Sequence, residues 1–562
     1  MRDRKFTSVR LVLACIFGFS TFVFVRPENA VLATAVPTTS AFRGVDPVRI
    51  LDTRRGIRPT SNSSTILDIA GNFGVPSDAT SVVLNVTAYE PDREGFVTVY
   101  PLGSSLPNTS NVNMQGNRDI VPNLVTAKIG EAGDIVLYAS VGVHLIVDLF
   151  GYYVPTVTSR AGRFVPADSP LRVLDTRKTI SVPEDGRVNV PIPDGVPFAS
   201  QGVEGLVFNV TSVNSKVRQN GFAFWTAVPS GDDLPDTSNL NIQRVGQTIA
   251  NQVIVAANAD GVDFYSYAGG DLIVDYLGYY TGEGAPEDDD GLFVAVSPTR
   301  LLDTRSSPNP LGDRVAVHHE WSVEVATSGI AGVPSGGARA VALNVTMTRA
   351  LDQGFVTVYP AGRVRPDASN INADRAGTTA PNHVQVRAGT RGVTLYSYGG
   401  TDLIVDIFGW FVGSPINSIV GVPQNILPVA QRFPGQLVIP DINLSTLVRE
   451  DVAFVNFDPS HLIESRTPNQ PGNVAIFGHR TSKGREFRNI DKMKVGSIIY
   501  LMIDGKFYTY VTTSVSIHLP SDPSIYNSGS NDQTLSLVAC HPPHSIDYRI
   551  VAHAVLVSVA SL

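Results

Sequence analysis

Cysteine is almost absent from this chain: only Cys15 and Cys540 occur in 562 residues. Two thiols so far apart offer no disulfide framework, and no paired-ligand spacing marks a metal site. Positive charge is scarce as well, with 43 Lys and Arg against 51 Asp and Glu and a formal net charge of −8. Such a balance lacks the basic field that nucleic acid or an anionic membrane surface demands, so no nucleic-acid partner is expected. Long apolar runs are missing except for Leu11–Val25, "LVLACIFGFSTFVFV". Fifteen residues fall short of the about 20 that span a membrane as a helix. A basic head, "MRDRKFTSVR", precedes the run and Ala33-Thr34-Ala35 follows it. These are the three parts of a secretory signal. Residues 1–35 are therefore read as a signal peptide with a mature start near Val36; an uncleaved N-terminal anchor is the rival. Cys15 in "VLAC" also resembles a lipoprotein site, although little apolar sequence precedes it. Once the signal is removed, Cys540 is the single thiol of an exported chain. In an oxidising compartment it is buried, pairs between chains, or reacts.

What the chain does have is glycine (49), proline (38) and many short Val, Thr, Tyr and Phe runs, a composition that favours strands and turns. Three internal copies fill the first three quarters. "VRILDTR" (Val48 to Arg54) returns as "LRVLDTR" (Leu171 to Arg177) and "TRLLDTR" (Thr299 to Arg305). "LNVT", "FNVT" and "LNVT" follow, then "GFVTVYP" (Gly95, Gly354) or "GFAFWTAVP" (Gly221), then "SNVN", "SNLN" and "SNIN". "HLIVDLFGYY", "DLIVDYLGYY" and "DLIVDIFGWF" close the units. A period of about 125 residues exceeds the roughly 20–50 of a solenoid, so each copy is read as a domain. The boundaries expected are 42–154, 164–281 and 293–412, each a β-sandwich or barrel. "PTVTSRAGR" and "TGEGAPEDDDG" read as linkers. The acidic run Glu287 to Asp290 lacks alternating ligand spacing and reads as solvated linker rather than a calcium loop. The Asp and Arg of each "LDTR" are read as an ion pair or turn cap in preference to a sugar or ion site. The copies are similar to modules of large exported bacterial proteins, which implies no activity.

After Phe411 the character changes, and residues 425–562 form the fifth segment. "LVIP", "GNVAIFGHRT", "GSIIYL", "YTYVTTS" and "TLSLVAC" follow in order, with an arginine nine residues past the cysteine. In that order they resemble the sortases, most closely the class E type of Gram-positive actinobacteria. The resemblance implies a closed β-barrel and a cysteine transpeptidase. Such an enzyme cuts an LPxTG-type sorting signal and passes the threonine acyl group to an amine of the cell wall or a pilin. It implies Cys540 as nucleophile, His479 as acid and base, and Arg549 as stabiliser of the oxyanion, with no cofactor. The chemistry suits these types: a thiolate attacks where a thiol does not, an imidazole exchanges protons near neutrality, and a guanidinium stays charged. His541 and His544 are nearer to Cys540 in sequence and are rival partners, although adjacent strand residues point to opposite faces. A zinc site of Cys540, His479 and His544 is a further alternative without ligand spacing behind it. The family's common TLxTC ending appears here as "SLVAC", with Ala539 before the cysteine, and the lead-in to "PGN" is not glycine-rich.

The expectation is thus a mainly β, exported, envelope-located enzyme with three tandem β-rich copies before a sortase-type barrel, the copies read as a spacer from the membrane or a contact to wall polymer. The competing class is a surface structural or adhesive protein with an inactive barrel. "LPNTS" (Leu106 to Ser110) and "LPDTS" (Leu234 to Ser238) nearly copy a sorting signal inside the repeats, where "RPDAS" (Arg365 to Ser369) stands in the third. They are expected to be turns and not substrates.

Overall fold

The last strand of each copy carries its longest apolar run, and that run is apolar because both faces of the strand are covered. These strands are His144–Pro155, Asp271–Thr281 and Asp402–Phe411. Each lies inside a run of four paired strands, between the copy's first strand (Thr39–Asp52, Phe164–Asp175 or Phe293–Asp303) and its "NVT" strand, and the runs of copies one and three join into one eight-stranded sheet. A second sheet, of four strands in copies one and two and five in copy three, packs on one face, and the two enclose a separate core of Val, Leu and Ile in every copy. Two packed antiparallel sheets per copy make a sandwich. The computed structural model describes residues 38–561 except 118, 306–316, 318–319, 418–425, 428–434, 449–458, 463–464, 469, 482–484, 504–505 and 526–531. The expected signal at 1–35 and Cys15 lie outside the described residues. Among those described, no helix is long and apolar enough to cross a membrane.

The other face of each long strand is covered by the neighbouring copies, which close into a ring. Phe42, Phe164 and Phe293 meet Tyr153, Tyr280 and Phe411 in one buried cluster drawn from all three. The glycine of each "FGYY" or "FGWF" makes room: a Cβ on Gly151 would lie 2.5 Å from the Phe42 ring, and one on Gly409 would lie 2.2 Å from that of Phe293. Around this centre the "NVT" asparagines reach cyclically to the next copy. Asn85 Nδ2 donates to Ser238 O at 2.8 Å, Asn209 to Ser369 O at 2.6 Å and Asn344 to Ser110 O at 2.7 Å. Their own side-chain oxygens accept from Asn251, Asn382 and Asn123. All six amides are at most 1% exposed, so each must find its partners inside protein. A copy on its own leaves these cross-copy bonds unmade. Strand pairing of Thr39 and Ser40 with Val294 and Phe293 also joins the first sheets of copies one and three.

The "LDTR" carboxylates form ion pairs, and Asp52 and Asp303 also cap their turns by accepting the backbone N–H of Arg54 and Arg305. Asp52, Asp175 and Asp303 each take a two-pronged bond from the arginine two residues on, with contacts between 2.6 and 2.9 Å. An arginine earlier in the same motif does more: Arg49, Arg172 and Arg300 pair with the buried aspartates of the "LIVD" runs, Asp148, Asp275 and Asp406.

The remaining strands form a mixed eight-stranded sheet. In chain order they are β1 (Gly435–Ile439), β2 (Leu444–Val448), β3 (Ser460–His461), β4 (Gly472–Phe477), β5 (Ile498–Ile503), β6 (Lys506–His518), β7 (Gln533–His541) and β8 (Tyr548–Ser561). They lie in the order β2-β1-β5-β6-β8-β7-β4-β3. One core takes Leu437, Val448, Ile476, Leu501, Tyr510, Leu537 and Ile550 from strands along the whole sheet, which is therefore curled into a barrel. The connector docks on copy three, where Ile426 and Leu427 run parallel to Ser322 and Val323.

Candidate active site

Strand register brings the three expected residues together. β7 and β8 are antiparallel with Cys540 directly opposite Arg549. β4 and β7 are parallel and paired up to Phe477 and Val538, and Gly478 N–H donates to Val538 O at 3.0 Å. Parallel strands advance together, so His479 falls level with Cys540. Alternation fixes the face. Leu537, Ala539, Ile550 and Ala552 belong to the barrel core, whereas Val538, Val551 and Ile525 form a small separate cluster. Cys540 and Arg549 share the parity of Val538 and Val551 and so stand outside the barrel. Ala539 is 2% exposed and faces the core; a hydroxyl there would point away from the sulfur.

Cys540 is a half-buried free thiol. The Arg549 guanidinium is docked through one terminal nitrogen on the carbonyls of Ile546 at 2.9 Å and Tyr548 at 3.1 Å. This anchors it to the turn that joins β7 and β8. His541, the rival in sequence, is engaged elsewhere: Arg480 Nη1 donates to its Nδ1 at 2.7 Å. A guanidinium only donates, so this nitrogen is the acceptor. Arg480 is 4% exposed and its other terminal nitrogen meets Asp491 at 2.9 Å. His544, exposed with φ 69°, uses its backbone N–H on Thr481 Oγ1 at 3.3 Å. Among the described residues, no group of three His, Cys, Asp or Glu side chains could hold a metal ion.

Sequence reasoning missed two groups here. Arg480 follows His479 directly, and nothing in "GHRT" distinguishes a buried brace from a surface charge. His518 pairs in register with Arg549 from β6. Its ring is held by Ser516 at 2.7 Å and Asp522 at 2.8 Å. The His518 hydrogen bond draws the Asp522 carboxyl down to about 2. Beneath the site, Ser536 links His553 at 2.9 Å and Asn473 at 3.0 Å, and burial lowers the His553 pKa.

The near-copies of a sorting signal lie in the ring. Thr109 and Ser110 are 4% and 7% exposed. Thr109 O accepts from Thr98 and Ser110 O from Asn344, while Ser238 O accepts from Asn85.

The family model described as "Sortase domain" matches residues 437–557. No curated protein matches the chain. Among solved structures the chain is similar to sortase C-3 from Streptococcus pneumoniae, at 24% identity and a TM-score of 0.22, over 23% of this chain and 64% of that one. It is similar to sortase A from Listeria monocytogenes, at 23% identity and a TM-score of 0.22, over 23% of this chain and 90% of that one. A variant of sortase E from Streptomyces avermitilis is similar at 24% identity and a TM-score of 0.20, over 23% of this chain and 89% of that one. The chain thus spans less than two thirds of the pneumococcal enzyme. The match of residues 437–557, laid over a barrel that carries the cysteine, the histidine and the arginine on one face, identifies this part of the chain as a sortase domain.

Proposed function

We propose that the chain is an exported cysteine transpeptidase acting on LPxTG-like sorting signals, with Cys540, His479 and Arg549 as its catalytic residues. The observation that carries this reading is the direct pairing of Cys540 with Arg549 at the end of two strands, with His479 at the same level. The Cys540 thiolate attacks the carbonyl carbon of the signal's threonine. The oxygen of the resulting tetrahedral intermediate takes the negative charge, beside the Arg549 guanidinium. His479 gives a proton to the departing glycine nitrogen, and the C–N bond breaks to leave a thioacyl enzyme. An incoming amine loses a proton to His479 and attacks the thioester, which returns the thiolate and forms the new amide. No cofactor enters these steps. The copies at 42–154, 164–281 and 293–412 are proposed as a spacer that presents the enzyme at 425–562 within the envelope, behind a signal or anchor at 1–35. Turnover of an LPxTG peptide by the full chain tests the reading. Cys540→Ala should abolish cleavage and the thioacyl adduct seen by mass spectrometry; cleavage undiminished in that variant would refute it.

A further inference from the structure

Where copies two and three meet, the ring opens as a cleft of about 1170 Å³. Its walls include Arg177 and Asn214 from copy two, Phe355, Arg365 and Tyr398 from copy three, and Glu486 from the sortase domain. Phe355 and Tyr398 sit directly opposite each other on adjacent strands of the second sheet. Their rings stack with centroids 5.2 Å apart and planes 11° apart, and Tyr398 is 41% exposed. Because the rings stack on each other, what the pair offers the cleft is one outer ring face, the aromatic platform. Gly354 beside it lets the two strands close up, since a Cβ there would lie 1.8 Å from the Tyr398 carbonyl oxygen.

The polar groups around the platform are already held in place. Arg177 is gripped by Asp175 through Nε at 2.8 Å and Nη2 at 2.6 Å. Arg365 lies over the Tyr396 ring at 3.9 Å. Carboxylates of Asp352 and Asp367 line the same cleft, so neither sign of charge dominates. Fixed donors and acceptors of both kinds beside an aromatic face fit a ligand with many hydroxyls and an apolar ring face, and they do not fit a polyanion.

The junction of copies three and one opens a smaller cleft of about 640 Å³, lined by Arg305, Phe96 and Asn113, although Ser140 faces Phe96 there where Tyr398 faces Phe355. Arg305, Phe96 and Asn113 are the positions that correspond to Arg177, Phe355 and Asn372 at the larger cleft. The ring geometry, and not a local accident, therefore generates the cleft.

We propose that the cleft between copies two and three binds a carbohydrate strand of the envelope, with the Phe355–Tyr398 platform under a sugar ring and Arg177, Arg365 and Asn214 on its hydroxyls. The binding does not depend on Cys540. Phe487, next to Glu486, donates its N–H to the His479 carbonyl at 3.0 Å. A glycan in the cleft is thus held beside the loop that bears the proposed acid and base.

Co-sedimentation of the full chain with insoluble, peptide-stripped glycan from a Gram-positive cell wall tests the proposal, with soluble polyphosphate as competitor. The wild-type chain should be retained, polyphosphate should not displace it, and Tyr398→Ala should lower retention by about ten-fold. Arg365→Ala should weaken it less, and both variants should keep the wild-type melting temperature and peptide turnover. Should Tyr398→Ala unfold, Gln353→Trp, which obstructs the cleft from an exposed position, must give the same loss. No retention of the wild-type chain, equal retention of the folded variants, or displacement by polyphosphate would each overturn it. Because the readout is binding, its failure is separate from any failure of the transpeptidase reading.

Discussion

Cys540 and Arg549 stand directly opposite each other on two antiparallel strands, at a spacing where Cβ atoms lie roughly 4.5–5.5 Å apart. The β7–β8 turn that separates them by nine residues in sequence also supplies the carbonyls that hold the guanidinium. The proposed nucleophile and the charge beside it are therefore positioned by one hairpin, and the effect of changing either is specific.

Arg549→Lys should lower kcat for an LPxTG peptide by about 10²–10³-fold, the usual loss when one oxyanion donor goes. A lysine ammonium cannot keep both carbonyl contacts and also face the substrate with a second donor of the same fork. Pre-steady-state kinetics should place the loss in acylation. A variant with wild-type kcat would remove Arg549 from the mechanism.

The two histidines should separate cleanly. His479→Ala is expected to lose about 10²–10⁴-fold in rate, as for a missing general acid and base. His541→Ala should stay within roughly ten-fold of wild type, because its ring is engaged as the acceptor for Arg480. Arg480→Ala should instead lower stability by about 1–3 kcal/mol, since it strips the partner from His541 and Asp491. Urea unfolding and peptide turnover measured on the same samples check all three.

Closure of the ring should be sensitive to a single amide. Asn344→Leu removes the donor to Ser110 O and the acceptor for Asn123 Nδ2, leaving two buried groups unmet at a cost of about 2–4 kcal/mol. Thermal unfolding of the full chain should show a transition of the repeats shifted down while peptide turnover at 25 °C persists.

The motifs at Leu106 to Ser110 and Leu234 to Ser238 should not be cleaved by the chain's own enzyme. The carbonyl oxygen of Thr109, bonded to the carbon a thiolate would attack, already accepts from Thr98 at 2.7 Å. Reaching a cleft would require opening the ring joint, a local unfolding step. Incubation of the full chain with and without Cys540→Ala, followed by fragment mass mapping, decides this. Cysteine-dependent scission after Thr109 or Thr237 would contradict it.

Acid should loosen the repeats in a defined window. The Arg54 hydrogen bonds hold the Asp52 carboxyl down at about 2, below its ordinary 3.8. Arg177 likewise lowers that of Asp175. A carboxylate depressed by folding stabilises the folded state above its unfolded pKa, and that contribution fades as pH falls from about 4 towards 2. Melting temperatures across that range should fall more steeply for wild type than for Arg54→Gln, where the depressed carboxyl has lost its partner.

The sequence alone determined the three copies, because sandwich strands and their turn residues write a pattern at short range: "LDTR", "NVT" and "LIVD" each return within one strand or turn. It also singled out Cys540, His479 and Arg549, since a motif and its spacing survive translation into strands, and period-two alternation already argued against His541. Tertiary structure decided what those patterns could not hold. The asparagine of "LNVT" looks like any polar residue in a strand, and only the approach of the next copy turns Asn85, Asn209 and Asn344 into the cyclic joint. Arg480 and His518 entered the site for the same reason, since their partners Asp491, His541 and Arg549 lie on other elements. Register fixes which residues face each other across strands, and register is set by contacts far apart in the chain.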